Sequence, residues 1–117
     1  MTRKEAILAL RDAVTVGDID TLPDNCFRRA FAGYPTAGIG FNFSEAHEGS
    51  LDAALALHEA VVPDWTWQVD YTPEVLLMPP KSVRHLGWAY GDGMSSGYAS
   101  RAWLLAILEA LIMEADE

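Results

Sequence analysis

The chain has little cysteine, no long hydrophobic run and few bases. Cys26 is the single cysteine among 117 residues, so an internal disulfide and a cysteine-rich zinc site are both excluded. The longest apolar run, Ala102 to Leu108, is much shorter than the roughly 20 residues that cross a bilayer. The chain begins without the apolar segment of a signal peptide. We therefore expect a protein of the reducing cytoplasm.

Bases are scarcest in the middle of the chain. Seventeen acids against eight bases give a net charge of −9, and no Lys or Arg occurs between Phe31 and Pro80. Such a segment repels phosphate backbones, so we expect no direct binding of DNA or RNA. Its acids form a candidate interaction surface for a basic partner, unless they serve only solubility. They are Glu45, Glu48, Asp52, Glu59, Asp64, Asp70 and Glu74.

Capping signals place two of the helices. Thr2 and Glu5 have the spacing of a capping box ahead of an apolar pattern, which predicts a helix that ends near Gly17. A short helix follows. Ser50 as N-cap and Pro63 as a stop then predict a third helix.

The last helix is predicted from about Ala99 to Met113, and it is apolar on nearly every side. Only Arg101 and Glu109 interrupt its apolar residues. A helix of this kind is either central in a layered core or buried against a second copy. The sequence leaves both arrangements open, so a homodimer through this helix is one hypothesis.

Three short segments after the third helix have the residues of strands. Residues 65–71 (WTWQVDY) alternate, residues 74–78 (EVLLM) are apolar and closed by two prolines, and residues 83–90 (VRHLGWAY) carry aromatics at alternate positions. The alternation predicts three β-strands. Residues 33–49 contain four glycines, and we interpret them as a loop or short edge strand that packs Phe41 and Phe43.

The order α-α-α-β-β-β-α predicts an α+β fold in a single domain, residues 1–117. Residues 1–49 would hold the N-terminal helices and the Gly-rich loop, and residues 50–117 the third helix, the strands and the last helix. The simplest packing is a small antiparallel sheet covered by helices on both faces.

Two segments carry a resemblance to a known family. "GSLDAALALHEAVVPDWTWQV" and "SRAWLLAILEAL" are similar to small phage and prophage proteins of α-proteobacteria that resemble the phage ABA sandwich domain. The resemblance implies an α-β-α layered fold and a phage-infected or lysogenic bacterial host. It implies no activity, and no catalytic residue is carried over from it.

His58 is the histidine that falls within an apolar helical pattern. The positions three and four residues away carry no metal ligand, which argues against zinc. We predict a buried imidazole that bonds a strand carbonyl or another buried polar group. No motif for catalysis, cofactor binding or a metal appears, so we expect no catalytic residue, no cofactor and no metal.

The aromatic residues of the predicted strands offer a second candidate site. Trp65, Trp67, Trp88 and Tyr90 could form one flat face that stacks on a planar ligand or a nucleotide base. The alternative is that they form the sandwich core, which the alternating pattern favours.

The sequence therefore predicts a non-enzymatic accessory protein of phage type that acts by binding a protein partner. In the most concrete hypothesis, the acidic middle of the chain occupies a basic groove that normally holds nucleic acid, as anti-restriction and anti-CRISPR proteins do. The alternatives are a small-ligand or nucleotide binder that uses the aromatic strands, and a homodimeric structural accessory protein.

Overall fold

Five α-helices, three strands and one 3-10 helix make up the described part of the chain in this computed structural model. In chain order they are α1 (Arg3–Val16), α2 (Asp24–Ala30), α3 (Ile39–His47), α4 (Leu51–Val61), β1 (Thr66–Val69), β2 (Glu74–Met78), the 3-10 helix (Lys81–Leu86), β3 (Ala89–Asp92) and α5 (Ala99–Ala115). The structure describes residues 2–19, 22, 24–34, 38–69, 74–92 and 99–115.

The predicted caps of α1 and α4 are present. The Thr2 hydroxyl accepts a hydrogen bond from the Glu5 amide at 3.1 Å, and the Glu5 carboxylate accepts one from the Thr2 amide at 3.0 Å. Helix α1 ends at Gly17, whose φ of 83° is left-handed. The Ser50 hydroxyl accepts from the Ala53 amide at 3.1 Å. Both caps satisfy amides that have no partner within their helix.

Helix α3 lies where a loop or edge strand was expected, so that prediction is wrong. The four glycines led to the expectation of a loop, although the apolar residues among them have helical spacing. Gly38, with a φ of 87°, is the residue from which the helix starts. The Phe43 ring packs edge-on against Phe27 with 5.4 Å between centroids, whereas Phe41 is 68% exposed. The buried side chains are Ile39, Phe43, Ala46 and His47.

The sheet is antiparallel with the strand order β1-β2-β3. Trp67 pairs with Leu77 and Leu77 with Ala89, so these three side chains share one face, the inner face. Helix α5 packs on this inner face. The outer face carries the alternate residues, among them Gln68 and Tyr90, which are both exposed.

The α+β class, the antiparallel sheet and its packing against helices are confirmed, but the layers differ from the prediction. Helices α1, α3 and α4 pack against α5, on the side away from the sheet, and the described outer face of the sheet carries exposed Gln68 and Tyr90 beside half-buried Leu76 and Met78. Helices on both faces were expected. The difference arises because α5 is the middle layer and the sheet is an outer one.

Helix α5 is central in this chain's own core. Its residues face the sheet on one side and α1, α3 and α4 on the other sides, so an apolar surface all round finds partners without a second copy. Burial therefore leaves no broad face of α5 open to a dimer partner. Its buried residues are Ser100, Ala102, Trp103, Leu104, Leu105, Ala106, Ile107, Leu108, Ala110, Leu111 and Ile112.

The predicted third strand is shifted along the chain. A 3-10 helix, Lys81–Leu86, occupies most of the segment expected to be strand, and its first turn is closed by the Val83 amide on the Pro80 carbonyl at 3.0 Å. Gly87 has a φ of 84° and ends this turn. Strand β3 begins only at Ala89, because the chain first has to leave the helical turn.

Gly91 sets how closely β3 can approach α5. A Cβ at this position would lie 1.8 Å from the Ala102 carbonyl oxygen and 2.7 Å from the Ala106 amide nitrogen. Both neighbours are helix backbone, which cannot move aside as a flexible side chain would. Only glycine lets the strand and helix backbones meet at this distance.

We predict that Gly91→Ala lowers the free energy of unfolding by at least about 3 kcal/mol, because the methyl group forces β3 away from α5. Gly40→Ala is the matched control, since its Cβ would meet only the Phe27 ring edge at 3.9 Å. It should stabilise α3 by about 0.5–1 kcal/mol. Urea unfolding followed by circular dichroism measures both. Equal midpoints for wild type and Gly91→Ala would contradict the contact.

Candidate functional site

His58 is a buried structural residue with a partner for each ring nitrogen. Its Nε2 lies 2.7 Å from the Trp65 carbonyl oxygen, and its Nδ1 lies 3.2 Å from Trp103 Nε1. An indole nitrogen only donates, so Nδ1 accepts and Nε2 carries the proton. The imidazole thus joins α4, the start of the sheet and α5. The predicted bond to a strand-side carbonyl is confirmed.

Burial lowers the pKa of His58 below 6.5, against smaller opposing effects of the Trp65 carbonyl and Glu59. The unfolded chain therefore takes up a proton at a higher pH than the folded chain. The stability that neutral His58 contributes is present above about pH 6.5 and is lost as the pH falls below that value.

We predict that an NMR titration of the His58 ring gives a midpoint below 6.5 and the shifts of the Nε2–H tautomer. Trp103→Phe should raise the midpoint, because Nδ1 loses its donor and becomes free to accept a proton, and it should cost about 1 kcal/mol of stability. Trp67→Phe is the control, since Trp67 contacts Trp103 but donates nothing to His58. A wild-type midpoint at or above 6.5 would contradict this assignment.

Three of the predicted acidic residues come together on α3 and α4. Asp52 and Glu59 are seven residues apart on α4, so they lie on the same side of the helix, about 10.5 Å apart along its axis. Glu45 of α3 and Asp52 line one shallow depression. All three side chains are exposed. We call Glu45, Asp52 and Glu59 the acidic face.

The other predicted acids lie elsewhere. Glu48 is exposed at the end of α3, with a carboxylate oxygen 3.9 Å from the Nδ1 of buried His47. Asp64 lies in the turn before β1. Glu74 is on the outer face of the sheet and accepts a hydrogen bond from the Tyr90 hydroxyl at 3.0 Å, which raises the pKa of that tyrosine. Asp70 lies outside the described residues.

Several basic residues are engaged in contacts within the chain. Arg11 forms an ion pair with Glu109 at 3.0 Å, Arg3 donates to the Ala30 carbonyl at 3.2 Å, and Arg101 donates to the His47 carbonyl. Within the part of the chain that the structure describes, no Lys or Arg forms an ion pair with an acid of the acidic face. In the described residues, no base at ion-pair distance therefore offsets the charge of these carboxylates.

The four aromatic residues of the second candidate site do not form one face. Trp65 is buried. Trp67 belongs to the inner face, where its ring lies 4.8 Å from that of Trp103. Tyr90 belongs to the outer face, and Trp88 is 51% exposed just before β3. The strand register therefore places on different faces the rings that the sequence spacing allowed to share one face.

Sequence reasoning missed two pockets. The larger, of about 360 Å³, lies between α1, α2 and α3 and has an apolar lining with one base at its rim. Apolar residues within the polar segment after α1 were the available signal. Its lining residues are Leu10, Ile19, Leu22, Phe27, Arg28, Gly40, Phe43 and Ser44.

The smaller pocket, of about 240 Å³, lies where β1 begins. Asp64 and Glu114 both line it, and Glu114 accepts a hydrogen bond from Trp65 Nε1 at 2.8 Å. Its remaining walls come from the end of α4 and the segment that follows β2, including Val61 and Val83. Because the acids come from distant parts of the sequence, only the tertiary structure brings them together.

In the described ranges, no group of three His, Cys, Asp or Glu side chains is placed to share a metal ion. Cys26 is buried and donates to the Ala6 carbonyl at 3.4 Å, and burial raises the pKa of its thiol, which disfavours the reactive thiolate. None of the helices in these ranges has the length and hydrophobicity to span a membrane.

Comparison of the chain with protein-family models, with curated proteins and with solved structures finds no match. The resemblance to phage ABA sandwich proteins therefore stays a prediction.

Proposed function

We propose that the protein acts by binding, and that its acidic face docks on a basic surface of a protein partner. The observation that carries this proposal is the set of three exposed carboxylates on α3 and α4, which form no ion pair with Lys or Arg in the described residues. Charge complementarity of this kind raises association rates and selects partners of opposite sign.

The partner class follows from the spacing and sign of these charges. Carboxylates along one side of a helix present a row of negative charge. The phosphates of nucleic acid present a similar row, and a groove lined by Lys and Arg attracts it. The protein would thus occupy the nucleic-acid groove of a host enzyme. A phage or prophage accessory protein in a bacterial cytoplasm, of the anti-restriction or anti-CRISPR kind, would work in this way.

We predict that the protein inhibits DNA cleavage by at least one member of a panel of purified restriction and RNA-guided nucleases, and that added salt weakens the inhibition. Glu45→Lys with Glu59→Lys should raise the half-inhibitory concentration at least about tenfold, since it reverses the sign of the docking surface.

The matched control is Asp12→Lys with Asp18→Lys, which changes the net charge equally at exposed positions on α1 and just beyond it. This control should inhibit as the wild type does. Equal loss of inhibition in both double variants would make net charge the cause and would overturn the acidic face as the site. Absence of inhibition across the panel would overturn the partner class.

A small-ligand site is the second candidate, and the pocket between α1, α2 and α3 favours it over the aromatic strands. Its apolar lining and Arg28 suit a short-chain carboxylate, whose tail would pack against Leu10 and Phe43 and whose head would meet the guanidinium.

We predict that octanoate shifts the NMR signals of Leu10 and Phe43 at millimolar concentration, because the tail fills the apolar pocket. Octylamine is the control, since it has the same tail but a charge that Arg28 repels, and it should bind less well. Equal shifts from both compounds would show tail binding without recognition of the charge. Unchanged spectra with octanoate would exclude the pocket as a carboxylate site.

A further inference from the structure

Strand β1 is an edge of the sheet, and nothing in the described chain covers it. It pairs only with β2, and all four of its residues, Thr66 to Val69, are exposed. The backbone amides and carbonyls that point away from β2 have no strand beside them. Such an edge is a template for an added strand.

The inner face of the sheet continues onto β1 without full cover. Trp67 and Val69 lie on the inner face beside Leu77 and Val75, which are fully buried. Yet Trp67 is 46% exposed and Val69 is 37% exposed, because the sheet extends past the helix beneath it. An added strand would cover this apolar ledge and extend the core.

The sequence of β1 does not protect it from pairing. Natural edge strands are usually guarded by a lysine, a proline, a bulge or an inward-pointing charge. Residues TWQV contain no charge and no proline, and Thr66 and Val69 favour strand geometry. Strand β3, the other edge, differs, because its inner residues Ala89 and Gly91 are buried under α5.

The pocket at the start of β1 indicates which charge an added strand would carry. Asp64 and Glu114 bring two carboxylates to a pocket whose other walls include Val61, Pro80 and Val83. A Lys or Arg side chain fits this pocket, since its head group meets the two carboxylates and its methylene groups can lie along Pro80 and Val83. A second copy of this chain fits poorly, because it carries the same net charge of −9.

We propose that an extended, basic segment of a protein partner adds to β1 as a fourth strand and places one Lys or Arg side chain in the pocket of Asp64 and Glu114. This inference rests on the proposed function, in that it gives the basic partner a second point of contact. Four residues of pairing span only about 13 Å, so the basic side chain acts as the anchor of a short and reversible contact.

The test uses synthetic peptides and wild-type protein labelled for NMR. The probe is an eight-residue peptide of alternating valine and threonine with one arginine near each end. Two further peptides replace both arginines by neutral citrulline, or two central residues by proline. The arginine peptide should shift the amides of β1 and of Asp64. Citrulline should weaken binding at least about tenfold, and proline should abolish the shifts, because it removes the pairing amides.

Two variants of β1 separate strand addition from general charge attraction. Val69→Glu puts a charge on the inner face, where the added strand would bury it, and should weaken peptide binding at least about tenfold. Gln68→Glu puts the same charge on the outer face and should not weaken binding. Because both variants attract a basic peptide more strongly, a loss confined to Val69→Glu cannot come from repulsion. Equal urea midpoints would show that both variants fold.

Asp64→Asn tests the pocket by itself. It should reduce the preference for arginine over citrulline to less than about threefold, because one of the two carboxylates loses its charge. A preference that persists unchanged in this variant would overturn the pocket as the anchor.

Other results would overturn strand addition itself. Peptide shifts centred on the acidic face would assign the peptide to α3 and α4. A dimer that Val69→Glu dissociates in sedimentation would make a second copy the occupant. The peptides could fail to bind while the protein still inhibits a nuclease and Glu45→Lys with Glu59→Lys abolishes that inhibition. This result would reject strand addition and retain the proposed function. Peptide binding at β1 without any nuclease inhibition would retain strand addition and reject the proposed function.

Discussion

The burial of α5 on all sides is the constraint on which the rest of the structure depends. Eleven of its residues are buried, and each large aliphatic side chain among them contributes about 1.5–3 kcal/mol when it leaves water. No single layer can cover a helix of this kind. The chain therefore wraps α1, α3 and α4 around one side and lays the sheet over the other, and His58 and Gly91 are the local devices that hold this arrangement.

The central position of α5 also determines which surfaces remain open. Because the helices gather on the far side of α5, none is left to cover the outer face of the sheet in the described chain. The sheet is then an outer layer with two edges, and β1 extends beyond its support. The exposed ledge of Trp67 and Val69 lies on the inner face of the sheet, where β1 extends past α5.

Charge is distributed according to the same layering. Arg11 joins α1 to α5 through Glu109, and Arg101 joins α5 to α3 through the His47 carbonyl. These two bases therefore bond other parts of the same chain. The acids of α3 and α4 are left on the solvent side of the helical layer. The proposed binding through negative charge would place the contact on helices rather than on loops, and rigid helices would preserve the spacing of the carboxylates.

The sequence by itself determined the α+β class, the capped ends of α1 and α4, the antiparallel strands and the buried role of His58, because these depend on local spacing and caps. The prediction from sequence was wrong at α3, because the glycines indicated a loop although the apolar residues have helical spacing. It was shifted at β3, because the prolines and Gly87 bound a 3-10 helix there. Only the tertiary structure decided that α5 is the middle layer, that the aromatic rings lie on different faces, and that Asp64 and Glu114 line one pocket. Those facts depend on strand register and on contacts between distant segments, which sequence periodicity does not encode.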